Sequence, residues 1–144
     1  MKKESKLATF LSRSWSRDSA ILLLRLWLGS MMMYHGWGKV FGNIEGFAKA
    51  VDELGFPMPE FFAWAAALSE FGGGILLVFG LFTRPAAFLV AFTMFVAAFV
   101  HHLDDPFGKK EMAITYLVIA IALMVAGPGK TALDRILFGR SSSH

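Results

Sequence analysis

The sequence predicts an all-α fold: a bundle of four transmembrane helices with both termini cytoplasmic, a short amphipathic helix at the N-terminus and an outer interfacial helix between the first and second spans. Three observations predict it. Of 144 residues, 56% are hydrophobic and 15% aromatic, with a mean hydropathy of +0.55, a composition rare among water-soluble domains of this size. The apolar residues gather into four runs, each close to the about 20 residues that cross about 30 Å of hydrocarbon. Lys and Arg are divided unequally between the two ends of those runs.

Residues 1–18 are basic, with Leu7, Phe10, Leu11 and Trp15 spaced to share one helical face, which predicts a short helix lying in the inner interface. A cleaved signal peptide is not expected, because Arg25 interrupts the apolar run that follows and no small-residue cleavage site comes after it. The first span is predicted over 19–38. In the connection to the second, Ile44, Phe47, Val51 and Leu54 recur at near-helical spacing until Gly55, Pro57 and Pro59 break the pattern, predicting an amphipathic helix on the outer membrane surface. The second span is predicted over 61–82, and Arg84 with Pro85 turns the chain into a third over 85–102. A polar stretch from His101 to Lys110 precedes a fourth span over 111–126, which closes at Gly127-Pro128-Gly129. Residues 19–134 thus form one membrane domain, and 135–144 a cytoplasmic tail. Gly72, Gly73 and Gly74, with Ala63, Ala67, Ala87 and Ala91, permit close helix approach within the bundle or in a homo-oligomer.

Lys2, Lys3, Lys6, Arg13, Arg17, Arg84, Lys130, Arg135 and Arg140 fall on one side of such a bundle, against Lys39, Lys49, Lys109 and Lys110 on the other. The positive-inside rule therefore places both termini in the cytoplasm, and the chain is expected in the inner (plasma) membrane. The net charge of +3 and pI near 9.4 reflect these flanking residues, whose partner is the lipid bilayer and not nucleic acid. Zero cysteines exclude disulfides, Cys-ligated metals and any thiol relay carried by this chain alone.

Two ionisable residues fall inside predicted spans, where a charge costs about 2.5–3.5 kcal/mol on insertion scales. Glu70 is predicted to face the bundle interior and to pair with Arg25 or to be protonated. Such a pair either locks the bundle without chemistry or serves as a proton relay or substrate contact. Towards the outer face, antiparallel spans bring together Tyr34, His35, Trp37, Lys39, His101, His102, Glu111 and Tyr116. Adjacent helical residues point about 100° apart, so one of His101 and His102 is expected to face inward.

Three uses suit this outer group. His35, His101 and Glu111 could ligate zinc or iron, although membrane-edge histidines more often bind water and headgroups. His35 and His101 could be axial ligands of a haem. A quinone head group, needing an apolar aromatic slot, donors to its carbonyl oxygens and a proton route, requires the fewest additions: Trp37 and Phe41 for walls, His35 and Lys39 as donors, Glu111 for protons. Met31, Met32 and Met33 read as packing or lipid-facing residues, since consecutive helical residues cannot converge on one ion.

The order and spacing of several residues resemble the DoxX family of small membrane proteins: Arg25, Gly29, His35, Gly36 and Lys39; then Leu54-Gly55-Phe56-Pro57 with Pro59; then Glu70, Gly73, Gly74, Gly80, Leu81 and Arg84. A histidine closing the third span, Glu111 with Tyr116, and Gly127-Pro128-Gly129 followed by Leu133-Asp134 complete the resemblance, which runs from Arg25 to about Asp134. It implies a four-helix membrane bundle associated with quinone redox. Relatives are named as subunits of thiosulfate–quinone oxidoreductases or terminal oxidases, or are linked to oxidative stress. Some are associated with thiol redox systems, a role that here requires a partner to supply the thiols. The expectation is therefore a subunit or accessory of a quinone-linked oxidoreductase, acting with a redox partner. The alternatives are a non-enzymatic scaffold for such partners and a small transporter.

Overall fold

The computed structural model describes residues 16–139, among which all regular structure is helical. The amphipathic helix expected at the N-terminus lies, apart from its last three residues, outside the described residues, as do residues 140–144 of the tail.

Helix α1 spans Arg17–Trp37 and is capped by Ser16, whose hydroxyl accepts from the Ser19 amide at 3.2 Å. It continues into one wider π-helical turn over Gly38–Gly42. Asn43 then caps α2, Ile44–Glu53, accepting from the Gly46 amide at 2.8 Å. Met58, in the left-handed region, and Pro59 at the first helical position start α3, Pro59–Phe79, which ends at left-handed Gly80. Helix α4 spans Thr83–Val96 and runs into a second π-helical turn, Ala97–His101. Helix α5 spans Phe107–Ala126, and a short α6, Leu133–Phe138, follows the Gly127-Pro128-Gly129 break. Each predicted span thus has a helix, with ends a few residues from those expected.

The four long helices close a ring, α1 against α3, α3 against α4, α4 against α5 and α5 against α1. Leu28, Met32, Leu77, Val90 and Leu123 fill its centre. Two helices, Pro59–Phe79 and Thr83–His101, are long and apolar enough to cross a membrane. Helices α1 and α5 have 21 and 20 residues, the length of a span, but Arg17, Asp18 and Arg25 in one and Lys109, Lys110 and Glu111 in the other lower their hydropathy.

The register between α1 and α3 rests on glycines. A Cβ on Gly29 would stand 2.7 Å from the Gly74 carbonyl oxygen, and one on Gly74 would stand 2.7 Å from that of Gly29. Gly36 is pressed against the backbone of Phe71 in the same way. Small residues let the backbones touch, which is how helices associate when neighbouring lipid is as apolar as they are. Gly73 makes a looser approach to Val90 of α4, whereas Gly72 faces open space and takes no part.

At the opposite end of the bundle, the Asp134 carboxylate caps α4, accepting from the amides of Phe82 at 2.6 Å and Thr83 at 2.8 Å. Phe82 has a φ of 47°, so the turn depends on this outside acceptor to satisfy the first α4 amides. Asp134→Ala is expected to cost about 1 kcal/mol, the usual worth of a helix N-cap. Thermal unfolding in detergent measures the loss, which Asp134→Asn should partly spare.

Candidate functional site

The register just described decides which charges meet. With Gly29 against Gly74 and Gly36 against Phe71, Arg25 lies opposite the last turn of α3, and Glu70 lies near the C-terminal end of α1. Arg25 and Glu70 are therefore about two helical turns apart, roughly 11 Å along the axis, and the pair expected from the sequence does not form.

The partner of Glu70 is Lys39. Its Nζ donates to both carboxylate oxygens, at 2.6 and 2.7 Å. Glu70 is 1% exposed, while 28% of the Lys39 side chain remains accessible. The ammonium also lies 4.6 Å above the Phe47 ring centre. Lys39 stands in the π-helical turn at the end of α1, one turn beyond His35, and its long stem carries the charge inward to Glu70.

Arg25, also 1% exposed, is bound by backbone alone. Its Nε donates to the Leu77 carbonyl at 3.0 Å, and its terminal nitrogens donate to Pro128 at 2.6 Å and Val78 at 3.4 Å. It thereby caps the C-terminal turn of α3, where a cation is favoured by the helix dipole, and ties that turn to the segment after α5. Gly80, with φ of 67°, would bring a Cβ to 2.6 Å from the guanidinium carbon, so both its conformation and its lack of a side chain are used.

Lys39 and Glu70 form one wall of a cavity of about 590 Å³ enclosed by α1, α2, α3, α4 and α5. His35, Tyr116, His101 and His102 join them as its polar lining, and Phe47, Phe62, Phe92 and Met94 are among its apolar walls. The His35 and Tyr116 rings meet edge to face, 5.9 Å apart. The amphipathic helix α2 turns Phe47, Ala50, Val51 and Leu54 into this space, so its apolar face roofs the cavity.

Both histidines of the pair reach the lining, against the expectation of one. The last turn of α4 is π-helical, with fewer degrees per residue than an α-helix, and His102 has already left the helix at φ −101° and ψ 25°. Their ring centres are 4.5 Å apart. His102 Nδ1 bonds the Asp105 carboxylate at 2.7 Å, and Lys109 donates to the same carboxylate at 3.3 Å.

These bonds, from His102 first and then Lys109, hold the Asp105 carboxyl below its ordinary range. A lowered folded-state pKa stabilises the loop fully above the ordinary carboxylate value and is lost as pH falls through the lowered one. Amide exchange over residues 102–109 is therefore expected to stay slow down to the ordinary carboxylate range and to quicken only below it. Asp105→Asn should quicken it at neutral pH and make little difference once the pH has fallen below the lowered value.

Three expected members stand elsewhere. Glu111 is exposed and outside the cavity lining, because α5 turns Met112, Ala113 and Tyr116 inward instead. Tyr34 is 74% exposed, one position off the face that carries His35. Trp37 packs outside, on Phe41 at 4.4 Å and Phe71 at 5.9 Å. With Glu111 turned away, the three-ligand set of His35, His101 and Glu111 does not converge, and among the described residues no other group of three His, Asp or Glu does. Sequence reasoning missed Phe47, Ser69 and Thr93 as lining residues. A usable signal existed for Lys39, which lies four positions after His35 and so on the same helical face.

The DoxX family model matches residues 20–103. The chain is 31% identical over 126 residues to "Inner membrane protein YqjF" of Escherichia coli (strain K12), covering 83% of this chain and 93% of that protein. It is 36% identical over 124 residues to "Putative oxidoreductase CatD" of Bacillus subtilis (strain 168), covering 85% and 90%. It is 33% identical over 129 residues to "Inner membrane protein YphA" of Escherichia coli (strain K12), covering 83% and 91%. No solved structure matches. Since the matched region takes in more than half of the chain, with Arg25, His35, Lys39, Glu70 and His101 inside it, this protein belongs to the DoxX family of membrane proteins.

Proposed function

We propose that this chain crosses the inner membrane four times with both termini cytoplasmic, and that it holds a quinone in the cavity beside Lys39 and Glu70 as a subunit or accessory of a membrane oxidoreductase. The observation that carries the reading is a buried ion pair on the wall of an otherwise apolar cavity. Such a pair costs desolvation that apolar packing would avoid, so its position at a cavity with room for a ligand suggests use. The volume of about 590 Å³ lies inside the about 300–1,000 Å³ range of small-molecule sites. One relative carries the name of an oxidoreductase, and two carry that of inner membrane proteins.

The donor set fits a quinone. Lys39 offers an ammonium to a carbonyl oxygen, Glu70 holds that ammonium in place, and the Tyr116 hydroxyl and His35 ring line the same space. His101, His102 and Asp105 continue the polar lining to the outer loop, where protons exchange with water. A bound quinone supplies a two-electron, two-proton couple. The electrons come from a partner, because the chain contains no cysteine to furnish them as thiol.

Titration of purified protein in lipid nanodiscs with decylubiquinone tests this reading. Saturable binding is expected, weakened at least about tenfold in Lys39→Met, since a hydrogen bond from a charged donor is worth about 1.5–3 kcal/mol. Absence of saturable binding to the unaltered protein contradicts it. An absorption spectrum of the same preparation reveals any haem. The span count has its own test: in a chain without cysteine, single cysteines at Lys49 and Lys130 should react with an impermeant thiol reagent from opposite sides of the membrane.

A further inference from the structure

We infer that the ligand of this cavity is a two-part amphiphile whose hydrocarbon tail lies in a cleft between α3 and α4 that opens sideways into the bilayer. This rests on the reading that the cavity holds a quinone, and adds the class of quinone and its route of entry.

The two helices are joined by the tight turn at Gly80–Phe82, and near it they touch: a Cβ on Gly73 would stand 3.2 Å from Val90 and 3.7 Å from the Ala86 carbonyl oxygen. Beside this contact each helix also turns one face to the cavity. On α3 that face carries Ala65 and Ser69, and on α4 Leu89, Phe92 and Thr93, each set at helical spacing. Leu89 is 45% exposed and Phe92 61% exposed, so residues that line the cavity also form the outer, lipid-facing surface.

The chemistry of the cleft differs from that of the inner wall. Its two hydroxyls are spent on their own helices, Ser69 donating to the Ala65 carbonyl at 2.6 Å and Thr93 to the Leu89 carbonyl at 2.9 Å. Neither has a proton left for a ligand. The other polar lining groups are His35 and Lys39 at the end of α1, Glu70 paired with Lys39, Tyr116 midway along α5, and His101 and His102 where α4 ends. A head group with hydrogen-bond acceptors therefore belongs at Lys39, and an uninterrupted apolar segment belongs in the cleft. A water-soluble ring without a tail leaves this side of the cavity unfilled.

The test compares decylubiquinone with the same ring lacking the tail, on the unaltered protein and on Ala65→Trp and Leu89→Trp, which narrow the cleft from its two sides. Comparing each ligand between proteins cancels its partition into lipid. Decylubiquinone binding is expected to weaken at least about tenfold in both variants, about 1.4 kcal/mol or more, while binding of the tail-less ring stays within about twofold. Tail-less binding unchanged is also the control that each variant is folded. No effect on either ligand in both variants, or equal weakening of both in variants that keep the thermal unfolding midpoint of the unaltered protein, overturns the lateral cleft and leaves the quinone site standing. Failure of both ligands to bind the unaltered protein overturns the quinone site and the cleft together.

Discussion

Lys39→Met is expected to destabilise the protein by about 3 kcal/mol. Removing one partner of a buried pair costs about 3–5 kcal/mol because the other charge remains without compensation. The lower end applies here, since 28% of Lys39 is accessible and water shares the load. Glu70, at 1% exposure, has no route of its own to solvent. The midpoint of thermal unfolding in detergent reads the effect. A companion variant separates structure from function: with Lys39→Met and Glu70→Leu together, the pair is replaced by apolar groups, which restores much or all of the lost stability. The double variant should nevertheless bind quinone no better than Lys39→Met. Recovery of both stability and binding would mean that the pair only locks the bundle.

The second large effect falls at the other end of the molecule. Arg25→Met is expected to cost about 3 kcal/mol, because the carbonyls of Leu77, Val78 and Pro128 each lose a charged donor, the first of them buried and the other two part-buried. Arg25→Lys should recover only part of this, since an ammonium cannot reproduce the planar fork that serves three carbonyls. The loss should be local as well as global. Arg25 is one of several ties that hold the segment after α5, with the Asp134 carboxylate on the α4 amides, the Asp134 amide donating to the Gly80 carbonyl at 2.9 Å, and Asp18 accepting from the Lys130 amide at 3.0 Å. Limited proteolysis of Arg25→Met should therefore cut first between 127 and 139. Quinone affinity should be retained in the surviving folded protein, because Arg25 lies outside the cavity lining. Parallel loss of binding and stability would instead couple the two ends.

How much of this was legible in the sequence divides along a physical line. Periodicity and hydropathy locate helices, so the four long helices, α2, and the inward direction of Glu70 were all readable. Register between helices was not. It depends on Gly29 meeting Gly74, a contact between residues 45 positions apart that no local pattern reports. That single offset turned Arg25 towards backbone carbonyls and gave Glu70 to Lys39.

Side-chain reach produced a second class of error. Lys39 was read as one of a group at the end of the first span, and its Cα does stand just past the C-terminal end of α1, yet its ammonium is carried back to Glu70. Local departures from α-helical geometry account for others. Projecting His101 and His102 at 100° per residue sent one of them outward, whereas the π-helical turn keeps both on the cavity. Glu111 was placed by its depth at the start of α5, which says nothing of azimuth, and the face that packs inward there is the one bearing Ala113 and Tyr116.

Photolabelling with an azido-substituted decylubiquinone, followed by peptide mass spectrometry, tests the central claim most directly. The account predicts label on residues 35–47 at the end of α1 and on α2, and on the facing stretches of α3 and α4 around Ser69 and Thr93, displaced by excess unlabelled quinone. Label confined to the exposed outer groove around Glu45, Asp52 and Trp64, or spread over lipid-facing residues without competition, would contradict it.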